Sequence, residues 1–111
     1  MTNRLRSDCY SRVTVPNYQR LRNILDRKGI KLVCVQYPMR NIKPLKEIFN
    51  SDKNIIFVDN EKIFKEALKK GNYKEYFIDM FFGDFGHCTS KGNRLLAEDI
   101  ANEILKWLMH K

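Results

Sequence analysis

Residues 30–37 read IKLVCVQY, and residues 55–59 read IIFVD. Both stretches are almost continuously apolar, short and rich in β-branched side chains. Runs of this kind are typical of strands that are covered on both faces, as in a parallel sheet. Pro38 ends the first run, because proline lacks the N–H group that a strand ladder needs. We therefore expect two buried strands.

Helical patterns surround the first strand. The first helix is expected to open at Pro16 and Asn17 and to close before Gly29, a residue suited to a C-terminal cap. A short helix around Pro44 follows the strand, because proline is tolerated in a first helical turn. The helical spacing that carries these predictions is found in Tyr18, Leu21, Ile24, Leu25 and Lys28 for the first helix, and in Ile42, Leu45, Ile48 and Phe49 for the second.

Two further helices are expected after the second strand. One begins at Asp59 or Asn60 and closes at Gly71. The last begins near Thr89 or Ser90 and is strongly amphipathic. The expected inner faces are Ile63, Phe64, Ala67 and Leu68 in the former helix, and Leu96, Ile100 and Ile104 with Ala97, Ala101, Leu105 and Leu108 in the latter.

The segment between these two helices is rich in aromatic residues. Residues 72–82 read NYKEYFIDMFF, and Tyr73, Tyr76, Phe77 and Met80 follow helical spacing. Such a segment either packs in the core or, beside a catalytic loop, lines an apolar pocket for an acyl group. The sequence leaves both interpretations open.

The order of elements defines the expected fold. Alternating strands and helices indicate right-handed crossovers and parallel strands, hence a three-layer α/β fold. Two parallel strands alone make a thin sheet with two open edges, which a folded domain rarely exposes. We therefore interpret residues 1–111 as one partial α/β domain, in which residues 1–15 form an irregular lead-in and residues 16–111 form the strands and helices.

Charge is concentrated in the first third of the chain. The 111 residues carry a formal net charge of +8, and residues 1–36 account for +6 of it, with eight Lys/Arg against two Asp. Such asymmetry can mark a nucleic-acid surface. However, no basic groove interleaved with aromatic residues and no known nucleic-acid motif accompanies it. A solvated basic helix face is the simpler interpretation, and nucleic acid is not the expected partner.

The sequence also contains features that indicate a cellular compartment. No apolar stretch is long enough to span a membrane, and the opening residues lack the apolar core of a secretory signal. Three cysteines, Cys9, Cys34 and Cys88, have neither the even number nor the spacing of a disulfide framework. These features predict no membrane association and a reducing, cytoplasmic setting.

The residues with the clearest chemistry lie in GDFGHCTSKGN, residues 83–93. Asp84 precedes His87 by three positions, and histidine has an ordinary pKa of about 6.5, which suits proton transfer. A carboxylate can hold one ring nitrogen while the other takes a proton from a serine hydroxyl. The same residues also fit a polar turn before a helix, with Asp84 as turn former and His87 on the surface. Zinc is not expected, because Asp84, His87 and Cys88 are too crowded to bind one ion.

The stretch DFGHCTSKGNRLLAEDIANEIL, which begins at Asp84, resembles the C-terminal signature of the SGNH hydrolases, also called GDSL esterases and lipases. In that family an Asp-x-x-His block precedes a glycine-containing helix start and a final amphipathic helix. The earlier LVCVQYPMRNIKPLK resembles the strand-then-proline stretch ahead of that block, so the resemblance covers most of residues 17–108. It implies the flavodoxin-like three-layer fold of that family, truncated to its C-terminal strands and helices. It also implies catalytic roles for His87, as base and then acid, and for Asp84, which would orient it, with no metal or organic cofactor.

The chain departs from the family pattern at the nucleophile. A Gly-Asp-Ser block is absent, as are the glycine block and the Gly-x-Asn block that supply the family's oxyanion hole. Cys88 adjoins His87 and is an alternative nucleophile, although adjacent side chains rarely meet well. The chain is therefore expected to be inactive alone. Its serines are Ser7, Ser11, Ser51 and Ser90.

Two functions are compatible with these observations. The first is the C-terminal portion of a serine ester hydrolase, acting on a small ester or acetylated substrate once a nucleophile-bearing half completes it. The second is a non-catalytic α/β module that associates with itself through open sheet edges, or that binds nucleic acid through its basic N-terminal third. Dimerisation would favour self-association, and an affinity that falls steeply with salt would favour nucleic acid.

Overall fold

The computed structural model describes residues 12–81 and 86–111. Seven elements follow one another in these ranges, in the alternating order predicted, so the mixed α/β class is confirmed. They are helix α1 (Thr14–Arg27), strand β1 (Val33–Val35), helix α2 (Lys43–Ile48), strand β2 (Ile56–Val58), helix α3 (Glu61–Lys70), helix α4 (Tyr73–Tyr76) and helix α5 (Ser90–Met109).

The two strands lie side by side and run parallel, with Val33 opposite Ile56. The amide of Ile56 donates to the carbonyl of Leu32 at 3.1 Å, and the amide of Gln36 donates to the carbonyl of Val58 at 3.1 Å. The parallel pairing predicted from the continuous apolar runs is thereby confirmed. Among the described residues the sheet has two strands, so each strand has one edge that no described strand covers.

Buried apolar side chains form two groups, the first between Ile42 and Ile55 in the sequence and the second between Ile56 and Phe77. The second group includes Val58, Phe64 and Phe77, which are almost completely buried. The rings of Phe64 and Phe77 lie 5.6 Å apart, and Phe77 stacks on Tyr73 at 4.8 Å. These contacts join α3 to α4 and to the extended residue that follows it. The first group consists of Ile42, Leu45, Ile48, Phe49 and Ile55, with Val15, Leu32, Cys34 and Phe57 packed against it.

The ends of α1 follow local chemistry closely. Gly29 has a φ of +68°, the left-handed conformation that glycine adopts without strain, so the predicted C-terminal cap is confirmed. The start was predicted two residues too late, because α1 begins at Thr14 rather than at Pro16. Proline fits any position of a first turn whose N–H groups have no helical partner, so it does not fix the first residue.

The expected burial of β1 on both faces is wrong. Val35 is 41% exposed, and the other two strand residues are half-buried. In α1, Tyr18 and Leu21 are likewise exposed, although both lie on the apolar face of the helix. The physical reason is that α1 packs on the C-terminal end of α2, where Tyr18 stacks on Phe49 at 6.2 Å. One flank of β1 is therefore left open.

In α5 one of the two expected apolar rows is also exposed. The row that includes Ile100 and Ile104 is half-buried, whereas Leu105 and Leu108 are exposed. Within the described part of the chain, none of the helices combines the length and apolar character needed to cross a membrane.

The aromatic segment is only partly helical. Helix α4 ends at Tyr76, and Phe77 adopts an extended conformation with φ −131° and ψ 137°. Phe77 belongs to the core as expected, but Met80, placed on the same face by helical spacing, is exposed. Helical spacing fails here because the chain turns into a strand-like segment after Tyr76.

Candidate active site

Two short extended segments bring the candidate site together. Phe77 and Cys88 form an isolated antiparallel bridge. The amide of Ile78 donates to the carbonyl of His87 at 2.8 Å, and the amide of Thr89 donates to the carbonyl of Tyr76 at 2.9 Å. This antiparallel pairing places the residues just after α4 opposite those just before α5.

A contact between a carboxylate and an imidazole lies next to this pairing. One oxygen of Asp79, Oδ2, lies 2.7 Å from Nδ1 of His87. The other, Oδ1, accepts a hydrogen bond from the backbone N–H of His87 at 2.6 Å. The backbone bond first, and then the ring contact, hold the pKa of Asp79 below its ordinary value. Asp79 is therefore a carboxylate at neutral pH, and it fixes both the backbone and the ring of His87.

Asp79 is itself fixed by its neighbours. The hydroxyl of Tyr73 donates to its backbone carbonyl at 2.5 Å. Gly86 is buried directly against the same residue, where an added Cβ atom would collide with the Asp79 carbonyl. Tyr73 in α4 and the glycine before His87 thus fix the backbone of Asp79, from which the carboxylate projects.

The start of α5 anchors the other end of the histidine segment. Thr89 caps the helix, since its Oγ1 accepts from the N–H of Gly92 at 3.1 Å, and its hydroxyl donates to the carbonyl of Glu75 at 2.5 Å. Lys91 pairs with the Glu75 carboxylate at 2.8 Å, and this lysine is the main reason that the pKa of Glu75 is lowered. The predicted cap at Thr89 is confirmed, and it ties α5 to α4 two residues from His87.

The imidazole of His87 is open to solvent. Its side chain is 73% exposed, and the ring edge of Phe81 contacts it at 5.4 Å between centroids. With Nδ1 on the carboxylate, Nε2 is the ring nitrogen left to exchange a proton with a reacting group. Among the described residues, no serine, threonine or cysteine side chain hydrogen-bonds to this ring. Of the four serines, Ser51 and Ser90 are described, whereas Ser7 and Ser11 lie outside the described residues.

Cys88 does not have the properties of a nucleophile. Its side chain is half-buried, and this burial raises the pKa of the thiol. A raised pKa favours the protonated thiol, which is a weak nucleophile. Its backbone pairs with that of Phe77, a buried residue.

The carboxylate of the predicted acid–base pair lies outside the described residues, since Asp84 belongs to the undescribed 82–85. The carboxylate that contacts His87 is Asp79, which sequence analysis had not considered. It is eight positions from the histidine and lies in an aromatic stretch interpreted as helical. The sequence carries no clear signal for it, because Phe77 and Ile78 are both apolar although only Phe77 is buried, so the strand-like alternation is visible only in the structure.

The carboxyl ends of the strands, where ligands bind in parallel sheets, carry a separate polar pair. Asn60 is completely buried, and its side-chain N–H donates to the carbonyl of Gln36 at 2.7 Å. The side-chain amide of Gln36 in turn donates from Nε2 to the backbone carbonyl of Asn41 at 3.0 Å. The contacts of His87 are with Asp79 and Phe81 rather than with these residues. Among the described residues, no cluster of three or more His, Cys, Asp or Glu side chains is arranged to hold a metal ion.

Comparison of the chain with protein-family models, with curated proteins and with solved structures found no match.

Proposed function

We propose that the chain is the C-terminal portion of a serine ester hydrolase of the SGNH (GDSL) type, with His87 as its proton-transfer residue. The observation that supports this best is the 2.7 Å contact between Nδ1 of His87 and Asp79. A carboxylate on one ring nitrogen fixes the tautomer and stabilises the imidazolium ion. Nε2 would then take the proton from a serine hydroxyl as it attacks an ester or acetyl carbonyl, and would return it to the leaving alcohol.

Two carboxylates are candidates for the orienting role. The family resemblance implies Asp84, and the contact supports Asp79. We assign the role to Asp79, because its two oxygens hold both the ring and the backbone N–H of His87. The role of Asp84 remains a prediction, and the experiments below compare the two directly.

The nucleophile and the oxyanion hole would come from a second part, which would also complete the three-layer sheet of the family. In support of this, the outer edge of β2 is not covered by any described strand, and parallel sheets are ordinarily covered. The proposed substrate is a small ester or an acetylated molecule. The free thiols of Cys34 and Cys88 agree with a reducing, cytoplasmic location.

The orienting contact can be tested by NMR without any substrate. In the wild type we expect the neutral His87 ring to carry its proton on Nδ1, measured from ¹⁵N shifts of the ring. Asp79→Asn should shift His87 toward the Nε2–H form, while His110, the second histidine of the chain, stays unchanged as an internal reference. If Asp84→Asn produces the shift and Asp79→Asn does not, the orienting role belongs to Asp84.

The catalytic role requires an assay with p-nitrophenyl acetate. The isolated chain should show little turnover, because it lacks the Gly-Asp-Ser block that carries the family's nucleophile. Turnover should appear when a polypeptide bearing a Gly-Asp-Ser block is co-expressed with it. His87→Ala should then reduce kcat by a factor on the order of 10³ or more, and His110→Ala should leave kcat unchanged. Turnover that survives His87→Ala would remove this residue from the mechanism.

A second candidate function is a non-catalytic binding module, either self-associating or binding nucleic acid. The observation in its favour is the open sheet with exposed apolar side chains at Leu21, Ile24 and Val35. Sedimentation over a hundredfold concentration range would detect a dimer. If the chain instead binds oligonucleotides, and this affinity falls steeply as the salt concentration rises because several ion pairs are screened, the partner is nucleic acid.

A further inference from the structure

The outer edge of β1 has the backbone geometry of an acceptor for another strand. Leu32 and Gln36 direct backbone groups toward β2, as their hydrogen bonds to Ile56 and Val58 show. Since successive residues of a strand point their backbone groups to alternate sides, Val33 and Val35 direct theirs away from β2. No described strand lies on that side.

An apolar groove lies beside this edge, between α1, β1 and α2. Its volume is about 140 Å³, close to the roughly 150 Å³ of an apolar cavity that accepts benzene. A leucine-sized or phenylalanine-sized side chain therefore fits it. Leu21 on one wall is 45% exposed, and burial of Cys34 raises the pKa of its thiol to about 11, so the floor is apolar and uncharged. The lining consists of Tyr18, Leu21, Leu32, Cys34, Val35, Leu45 and Phe49.

Charge distinguishes between the occupants that could cover this surface. Residues 12–53, which contain all three elements around the groove, carry ten Lys/Arg against three Asp/Glu, a net +7. Residues 54–81 and 86–111 carry nine against eight, a net +1. A second copy of this chain on the same edge would oppose two strongly basic surfaces, which is unfavourable. A segment with acidic residues would be attracted.

We propose that the outer edge of β1 and its groove bind an extended, acidic segment of another polypeptide, which adds to the sheet as a third strand. The main-chain groups of Val33 and Val35 pair with the segment, and an apolar side chain of it fills the groove. Acidic residues at its ends are attracted by the net positive charge of residues 12–53. Strand addition of this kind takes affinity from main-chain hydrogen bonds and specificity from side-chain pockets. The inference goes beyond the proposed ester hydrolysis and does not depend on His87.

A synthetic peptide tests the proposal with the chain as it stands. The probe is acetyl-EEVTVLVEE-amide, and its control is acetyl-KKVTVLVKK-amide, with the same apolar centre and opposite charge. Titration calorimetry at 50 mM salt should give at least about tenfold tighter binding of the acidic peptide than of the basic one, because opposite charges attract. At 300 mM salt the difference should be smaller, because salt screens the charges. Hydrogen exchange of the Val33 and Val35 amides should slow in the complex.

Two variants locate the binding surface. Leu21→Gln should weaken binding about tenfold, a loss of 1.4 kcal/mol. The matched control is Leu105→Gln, also on a helix and 53% exposed, which should change affinity less than twofold. Val35→Pro removes an outward N–H while remaining compatible with an edge strand, and it should also weaken binding. Circular dichroism confirms that each variant is folded.

Three results would overturn the proposal. Equal affinity for the acidic and basic peptides would remove the charge argument. A concentration-dependent dimer of the chain alone that Leu21→Gln abolishes would assign the edge to a second copy. Protection of Val33 and Val35 by a single-stranded oligonucleotide, with no effect of the acidic peptide, would assign the surface to nucleic acid. Each of these leaves the His87 experiments unaffected, so the failures of the two proposals are distinguishable.

Discussion

One aspartate controls two atoms of His87. Asp79 accepts from the backbone N–H through one oxygen and contacts the ring through the other, at 2.6 and 2.7 Å. The backbone bond fixes the position of Asp79 relative to His87, and the ring contact then favours one orientation of an imidazole that is 73% exposed. Proton transfer benefits from such a fixed geometry, because the acceptor nitrogen is presented without a search among rotamers.

The lowered pKa of Asp79 predicts how stability depends on pH. The backbone N–H of His87 is the main cause, followed by the ring. The unfolded-state pKa of aspartate is about 3.9. A carboxylate whose folded-state pKa lies below this value stabilises the fold at any pH above the unfolded-state pKa. That stability is lost as the pH falls through the folded value. Asp79→Asn should therefore melt below the wild type at pH 7, and the two melting temperatures should converge as the pH falls through the folded-state pKa of Asp79. A difference in Tm that is the same at pH 7 and pH 2 would contradict the role of this carboxylate.

Gly86 predicts a second effect at the residue scale. A Cβ atom at this position would collide with the backbone carbonyl of Asp79, which cannot move aside as a flexible side chain can. Gly86→Ala should lower the free energy of unfolding by about 1–3 kcal/mol and should also disturb the His87 tautomer measured by NMR.

The matched control for this substitution is Gly71→Ala. There the added Cβ atom meets the end of the Glu75 side chain at 2.5 Å rather than a backbone atom. This exposed carboxylate can move, but only by loosening its contacts with the N–H of Asn72 and with Lys91. We therefore expect a loss of less than about 1 kcal/mol, smaller than at Gly86, with no change at His87. Equal losses in the two variants would show that contact with Asp79 does not constrain Gly86.

At the scale of elements, α5 holds the candidate site in place through its first turn. Thr89 accepts from the N–H of Gly92 and donates to the carbonyl of Glu75 at the end of α4. A single hydroxyl therefore caps one helix and joins it to another. His87 lies two residues before this junction, so the position of its backbone depends on the cap.

Removal of this hydroxyl should have a measurable cost. Thr89→Ala should lower the free energy of unfolding by about 1–2 kcal/mol, the usual loss for an N-cap that also makes a tertiary contact. Thr89→Ser keeps the hydroxyl and should lose less than about 0.5 kcal/mol. Urea unfolding followed by circular dichroism measures both. A serine variant as unstable as the alanine variant would show that the methyl group, rather than the hydroxyl, matters.

The local sequence predicted the ends of the helices well, but it did not predict which residues are buried against other elements. The cap at Thr89 and the turn at Gly29 follow from the side chains and conformations of those residues alone, so the sequence contains them. The exposure of Val35 depends on which elements pack over β1, and nothing in IKLVCVQY carries that information. The contact of Asp79 with His87 depends on the register of two segments eight positions apart. Because residues 72–82 were assigned to a helix from their spacing, their pairing with residues 86–89 was not predicted.

At the scale of the whole molecule, the basic charge and the open sheet edge occur in the same part of the chain. Residues 12–53 hold a net +7 of charge together with the groove beside β1, whereas the Asp79–His87 pair lies in the nearly neutral remainder. The surface proposed for a partner and the residue proposed for chemistry are therefore carried by different parts of the sequence. Substitutions can alter either one without the other, which makes the two proposals independently testable.

The nearly neutral part of the chain also contains a carboxylate whose charged form is unfavourable for folding. Asp99 in α5 is half-buried, and its Oδ2 has no hydrogen-bond partner among the described residues. Burial is the main cause that raises the pKa of Asp99, and the charges of Glu103 and Asp59 add to it. A folded-state pKa above the unfolded value favours folding only while the group is protonated. That contribution is present below about pH 3.9 and is lost as the pH rises through the folded value.

At neutral pH this carboxylate should therefore oppose folding. Asp99→Asn removes the charge and keeps the shape, so we expect Tm to rise by about 1–3 °C at pH 7, the change that a few tenths of a kcal/mol produces in a domain of this size. The gain should shrink at pH 3, where the wild-type group is protonated as well. Glu98→Gln, one position away on the exposed side of α5, is the matched control and should change Tm by less than about 1 °C. A lower Tm for Asp99→Asn at pH 7 would mean that Asp99 makes a favourable charged contact with a residue outside the described ranges or with a partner, and its burial would then have to be explained by that contact.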